Sequence, residues 1–71
     1  MNINLVQTLQ GCIDDCDRLL REAELDKERY NQCLSGELLQ TYMQASEAAI
    51  KKIKKIRKQL YNLQLEQKLE P

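Results

Sequence analysis

The sequence predicts an all-α protein, an antiparallel two-helix hairpin of the coiled-coil type. Three observations predict it: two apolar ladders, one break between them at Ser35-Gly36, and opposite charge biases in the two halves of the chain. Both ladders alternate steps of three and four residues, which is the spacing of a seam along a helix.

The two ladders mirror each other across Gly36. The first is Leu5, Leu9, Cys12, Cys16, Leu19, Ala23, Asp26, Tyr30 and Cys33, and the second is Leu39, Tyr42, Ser46, Ala49, Ile53, Ile56, Leu60, Leu63 and Gln67. If the chain folds back at Gly36, each ladder residue meets one that lies equally far from Gly36 on the other side, for example Tyr30 with Tyr42. Because the matching register is centred on the best turn site, we expect the ladders to form the seam between the helices.

The first helix is expected over about residues 4–34. Asn4 followed by Gln7 resembles a capping box, which marks a helix start. Ser35-Gly36 is the expected turn, because glycine readily adopts the left-handed conformation that ends a helix. The second helix is expected over about 37–68, with Pro71 beyond it, so that one hairpin accounts for residues 1–71.

Charge supports the antiparallel arrangement. Residues 1–34 carry seven acids and four bases, whereas residues 35–71 carry four acids and seven bases. Folding at Gly36 lays Asp17 near Arg57 and Glu22 near Lys52. The balance of 11 basic and 11 acidic residues gives no global charge that points to nucleic acid or a membrane. With no apolar run long enough for a membrane span or signal peptide, we expect a cytoplasmic protein.

The three cysteines are expected to be free thiols. Cys12 and Cys16 lie one helical turn apart, and Cys33 lies roughly 25 Å further along a helix at ~1.5 Å per residue. That distance excludes a shared metal site, and His is absent from the chain. We therefore expect no metal and no cofactor. Paired carboxylates such as Asp14-Asp15 would sit on an exposed helix face without a pocket, so we expect no enzymatic activity.

A second apolar row borders the predicted seam on one side only. It comprises Val6, Ile13, Leu20 and Leu34 on the first helix and Met43 and Ile50 on the second. A one-sided apolar stripe on a small protein is normally an interface, so Val6, Ile13, Leu20, Met43 and Ile50 are the predicted partner-binding residues. The alternative is that this row widens the seam within the hairpin.

Two further features of the second helix admit two interpretations each. Tyr61, Leu65 and Leu69 form another apolar row, which is either part of a frayed tail or a second contact region. The basic run Lys51–Lys58 contains Ile53 and Ile56 at ladder positions and no aromatic residue to stack on bases. We therefore interpret it as a helix face and expect neither nucleic acid nor a membrane as a partner.

The stretch from residue 35 to residue 56 resembles the YscE-like co-chaperones of type III secretion needle subunits. The residues that carry the resemblance are Ser35-Gly36-Glu37, Tyr42, Ser46, Ala48-Ala49-Ile50 and Ile53. Members of that family are two-helix hairpins of similar length, with a glycine-containing turn and an Ala-Ile-rich seam.

The resemblance implies a role in virulence-associated secretion. The chain would pair with a tetratricopeptide-like chaperone and keep a needle subunit monomeric in the bacterial cytoplasm before export. Reasoning from the residues alone leaves a second function open, a hairpin that self-associates into a four-helix bundle with a structural or regulatory role. A homodimer is therefore the alternative to the two chaperone-complex partners.

Overall fold

The computed structural model describes residues 2–69, and in them the chain forms two antiparallel α-helices. Helix α1 spans Ile3–Cys33 and helix α2 spans Gly36–Leu69. The predicted all-α hairpin is therefore confirmed. Met1, Glu70 and Pro71, which the sequence analysis included in the hairpin, lie outside the described residues.

Helix α1 begins earlier than the sequence analysis expected. Asn2 is the N-cap, and its side-chain oxygen accepts a hydrogen bond from the Leu5 backbone N–H at 3.0 Å. Asn4 already lies inside the helix, where its carbonyl accepts a hydrogen bond from the Thr8 hydroxyl at 2.9 Å. The capping box proposed at Asn4 and Gln7 was therefore wrong, because Asn2 satisfies one of the first free N–H groups of the helix.

The turn lies at Leu34 and Ser35, with Gly36 as the first residue of α2. Leu34 is extended, and its N–H donates to the Tyr30 carbonyl at 2.8 Å. Gly36 has a φ of +62°. It is therefore left-handed, as predicted, but it opens α2 instead of ending α1. A residue with a Cβ atom would be strained there.

Contacts across the hairpin agree with the predicted antiparallel register. The rings of Tyr30 and Tyr42 lie 5.1 Å apart near the turn. The Arg57 guanidinium donates to the Asp17 carboxylate at 2.7 Å near the middle. Glu22, expected near Lys52, instead pairs with Arg18 of its own helix at 4.0 Å. The result is an elongated molecule that measures 56 × 14 × 10 Å.

The hairpin has a small core. The buried apolar residues are Leu9, Ile13, Cys16 and Ile50, and the buried polar residue is Gln64. We call the buried and half-buried rows between the helices the seam. On α1 the seam is Val6, Leu9, Ile13, Cys16, Leu20, Ala23, Lys27, Tyr30 and Leu34, and on α2 it is Leu39, Met43, Ser46, Ile50, Ile53, Arg57, Leu60, Gln64 and Gln67.

Candidate protein-binding surface

All five residues predicted to bind a partner lie in the seam. Ile13 has an exposed fraction of 0% and Ile50 of 7%, while Val6, Leu20 and Met43 are half-buried. The prediction that they form an exposed flank was wrong. The alternative interpretation, in which this row contributes to packing within the hairpin, describes the structure.

Each helix is rotated about its axis relative to the expected arrangement. The row that contains Leu9 and Cys16 is shared between the expected and the observed seam, as is the row that contains Ile53 and Leu60. The second row of each helix differs, because Ile13 replaces Cys12 on α1 and Ile50 replaces Ala49 on α2. Half of each predicted ladder therefore faces solvent.

The exposed half-ladders form a surface that we call the apolar stripe. Its large members have exposed fractions of 38% to 48%: Leu5, Leu19, Tyr42, Ile56 and Leu63. Cys12, Cys33 and Ala49 are also exposed in the same rows. Residues seven apart lie on one face of a helix after two turns, so the stripe follows the hairpin, interrupted on α1 by the half-buried Asp26, which pairs with Arg29.

Both halves of the apolar stripe lie on the same side of the hairpin. On α1 the stripe residue Leu19 immediately precedes the seam residue Leu20, and on α2 Ala49 immediately precedes Ile50. One step back along a helix is a rotation of about 100°. The helices are antiparallel and their seam faces point at each other. The residue before a seam residue therefore lies on the same side of the hairpin in α1 and in α2.

The opposite side of the hairpin, which we call the polar side, carries the polar contacts between the helices. Besides Asp17 with Arg57, the Lys27 ammonium lies 4.0 Å from the Glu47 carboxylate. The Gln64 side chain donates to the Val6 carbonyl at 3.2 Å and to the Gln10 side chain at 3.0 Å. These residues satisfy one another across the seam. This side also has a hollow lined by Leu20 and Leu25 together with Lys54 and Arg57, but the longer rows of exposed apolar side chains are those of the apolar stripe.

The cysteines divide between the core and the surface. All three are free thiols, with Cys16 buried and Cys12 and Cys33 exposed. Cys12 was expected in the seam, and its place there is taken by Ile13. Cys16 acts as a small apolar core residue, as free cysteines often do. The two exposed thiols lie in the stripe rows.

The basic run of α2 is a helix face, as predicted. Ile53 is half-buried in the seam, whereas Ile56, also expected there, is 41% exposed on the apolar stripe. Arg57 is half-buried and pairs with Asp17. The five lysines of the run are exposed, and these are Lys51, Lys52, Lys54, Lys55 and Lys58. They cover the part of α2 that faces away from α1.

The row of Tyr61, Leu65 and Leu69 lies on continuous helix, since α2 extends to Leu69. The exposed fractions of its side chains are 47%, 55% and 75%. The row points away from the apolar stripe. Its residues are four apart, so they form a short row of exposed apolar side chains on one face of α2.

The paired carboxylates are engaged in short-range contacts on the surface of α1. Asp14 accepts a hydrogen bond from the Gln10 side chain at 3.0 Å, and Asp15 lies 3.5 Å from Arg18. Both are exposed. Exposed pairs of this kind contribute only about 0.2–1 kcal/mol each. Both carboxylates thus have partners within their own helix, Gln10 for Asp14 and Arg18 for Asp15.

No protein-family model, curated protein or solved structure matches this chain at a significant level. In residues 2–69, neither helix combines the length and the apolar character needed to cross a membrane.

Proposed function

We propose that this chain is a non-catalytic protein-binding module that works as a co-chaperone. In this proposal it acts in the bacterial cytoplasm with a tetratricopeptide-like chaperone and keeps a type III secretion needle subunit monomeric before export. The observation that carries the proposal is the apolar stripe on one side of the hairpin, with its five large side chains 38% to 48% exposed.

The shape of the apolar stripe suits a helical partner. Two rows of exposed apolar side chains, one from each helix, flank the seam on this side. An amphipathic helix can lie along such a surface with its apolar residues at helical spacing. Helical repeat proteins also have terminal apolar faces that need covering, and a hairpin of two helices matches one repeat.

The resemblance to YscE-like co-chaperones supports the same surface. Tyr42 and Ala49, two of the residues that carry it, lie in the apolar stripe. Gly36 forms the turn, and Ile50 and Ile53 form the seam that holds the helices together. The resembling stretch therefore supplies both the scaffold and part of the proposed contact surface.

The small core supports a role that depends on a partner. Four buried apolar side chains are few for a hairpin that spans residues 2–69. A partner that binds only the folded hairpin stabilises it by mass action, by about 2.7 kcal/mol at a partner concentration 100 times the Kd. A hairpin of this kind is well suited to be held in a complex.

The test is co-expression with a tetratricopeptide-like chaperone and a needle subunit. We expect all three chains to co-purify, and we expect omission of this chain to lower the yield of the chaperone. Leu63→Asp, on the apolar stripe, should prevent co-purification. The matched control is Leu65→Asp, since Leu65 has a similar exposed fraction, 55% against 48%, but lies off the stripe.

Two outcomes would contradict parts of this proposal. If the wild-type chain retains neither the chaperone nor the needle subunit, the co-chaperone function is wrong. If Leu65→Asp prevents co-purification while Leu63→Asp does not, the contact surface is the Tyr61, Leu65 and Leu69 row. Circular dichroism of each variant checks that the hairpin itself is still helical.

A further inference from the structure

We infer that the apolar stripe is covered by a second copy of this chain when no other partner is present. In the dimer that we propose, two hairpins stack stripe to stripe with both turns at the same end. Helix α1 of each copy then lies against α2 of the other, and all neighbouring helices are antiparallel. This dimer competes with the proposed chaperone for one surface but does not depend on that function.

The exposed area of the hairpin is the first argument for a second copy. The chain exposes 5540 Å². A compact monomer of 8.3 kDa would expose only about 4,600 Å² by the usual scaling of surface with mass. The excess is close to the roughly 800 Å² that each partner buries in a standard protein interface. One flat side of a narrow hairpin can supply that area, and stacking two copies gives a four-helix bundle.

Charges along the edges of the apolar stripe select the arrangement of the copies. Near the middle of the hairpin the α1 edge carries Asp15 and Glu22 and the α2 edge carries Lys52, with Lys55 nearby. Arg29 and Glu66 lie in the same edge rows towards opposite ends of the hairpin. Stacking α1 on α1 would place the carboxylates of one copy against those of the other, and stacking α2 on α2 would bring the lysines together. Stacking α1 on α2 places opposite charges side by side, which is the orientation that edge charges favour in helical bundles.

The positions of these charges along the long axis of the hairpin favour the dimer in which both turns are at the same end. The contacts of Lys27 with Glu47 and of Asp17 with Arg57 show which parts of α1 and α2 are level. Glu22 lies between the two α1 positions, and Lys52 lies midway between the two α2 positions. A two-fold rotation about the long axis of the hairpin does not change a residue's position along that axis. Glu22 of one copy therefore lies beside Lys52 of the other.

The apolar residues match in the same arrangement. Leu5 and Leu63 both lie near the end remote from the turn, Leu19 and Ile56 lie near the middle, and Tyr42 lies near the turn. With the turns together, Leu19 comes level with Ile56 of the other copy, and Leu63 comes level with a position between Leu5 and Cys12. With the turns at opposite ends, Leu5 would meet the turn end of the other copy, where Cys33 is the stripe residue of α1.

The mass in solution tests the dimer. We expect sedimentation or light scattering at about 100 µM to give twice the 8.3 kDa of the chain, which the size of the interface makes reasonable. Leu19→Asp should reduce the mass to that of one chain while circular dichroism remains helical. The matched control is Leu25→Asp, which should remain dimeric because Leu25 is 63% exposed on the outer face of α1.

The distance between the two turns tests the arrangement. A nitroxide label is attached at Ser35→Cys in a background with Cys12→Ser, Cys16→Ala and Cys33→Ser, and the distance between the labels in the dimer is measured by pulsed electron resonance. Turns at the same end should give a short distance of roughly 10–25 Å, which is the spacing of one helix diameter between the stacked hairpins plus the linkers of the two labels. Turns at opposite ends should give close to the 56 Å length of the hairpin.

Each outcome decides one part of the inference. A wild-type chain that stays monomeric overturns the dimer, and the chaperone function can still hold if the chaperone is retained in the co-expression test. A dimer with a long label distance overturns the same-end arrangement. A dimer that Leu19→Asp does not dissociate shows that another surface forms the interface. A dimer with the expected distance that retains no chaperone supports this inference and contradicts the proposed function.

Discussion

The side chain of Gln64 donates a hydrogen bond to the backbone carbonyl of Val6, 58 residues away in the sequence, at a distance of 3.2 Å. The same amide donates to the Gln10 side chain, and Gln64 is 5% exposed. Gln64 therefore ties the beginning of α1 to the last part of α2. It is the buried polar residue of the seam in the described part of the chain.

Gln64→Leu and Gln64→Glu should have different effects on the free energy of unfolding. With leucine at position 64, the Val6 carbonyl can still accept its hydrogen bond within α1 and the Gln10 side chain can bind water. We therefore expect the free energy of unfolding to change by less than about 1 kcal/mol. A glutamate would place a charge against the Val6 carbonyl, so we expect a loss of about 1–3 kcal/mol. Urea unfolding at neutral pH measures both. Equal losses in the two variants would show that the hydrogen bonds donated by the Gln64 side-chain amide contribute the stability.

Ile50→Asp and Ile56→Asp separate the seam from the apolar stripe. Ile50 is 7% exposed and Ile56 is 41% exposed on the same helix. A carboxylate at position 50 would be buried without a partner and should unfold the hairpin, since truncating a core isoleucine alone costs about 2–5 kcal/mol. The same change at position 56 should leave the chain helical. Circular dichroism at low protein concentration makes the comparison, and similar loss of helix in both would contradict the observed seam.

A double-mutant cycle on Asp17 and Arg57 should show a small favourable coupling. Both side chains are about one-third exposed, at 36% and 32%, so solvent screens the pair. We expect about 0.5–1 kcal/mol in low salt and less in 1 M salt. The control cycle uses Arg18 and Glu22, an exposed pair within α1 with a longer separation of 4.0 Å. A coupling no larger than in that control would remove this pair as a determinant of register.

Replacing each glycine by alanine should change stability in opposite directions. Gly11 lies inside α1 with open space where a Cβ would be, so Gly11→Ala should stabilise by up to about 1 kcal/mol. Gly36 also has open space around it, but its φ is +62°, so Gly36→Ala should destabilise by roughly 1 kcal/mol. Thermal unfolding of the two variants provides the comparison. A stabilising Gly36→Ala would be inconsistent with the left-handed turn.

The fold was predictable from the sequence because the strongest signals in the chain are local or repeat regularly. Heptad spacing predicted two helices, and Gly36 was the best position for a turn. The Tyr30–Tyr42 and Asp17–Arg57 contacts confirm the predicted register. The charge pattern and the heptad spacing both predict the register, that is, which residues of α1 and α2 lie at the same position along the hairpin.

The rotation of each helix about its axis was not predictable in the same way. On α1 the rows that contain Cys12 and Ile13 are both mainly apolar, each with one charged residue, Asp26 or Lys27, so either can complete a seam. On α2 the observed seam row includes Arg57 and Gln64, and two polar residues made that row the weaker candidate. The structure satisfies both with partners, Asp17 for Arg57 and Gln10 for Gln64. The missed signal was that Arg57 and Gln64 each face a polar residue of α1 at about the same level.

The core of the hairpin lies away from its turn. Leu9, Ile13 and Cys16 are in the half of α1 remote from Gly36 and Ile50 is near the middle of α2, whereas the seam residues next to the turn, Leu34 and Leu39, are only half-buried. Closing the chain at the turn therefore lowers chain entropy before much apolar surface is buried, although each doubling of the closed loop adds only about 0.6 kcal/mol. Local opening is easiest where few apolar side chains are buried, so hydrogen exchange should be fastest near the turn and slowest around Leu9, Ile13 and Gln64.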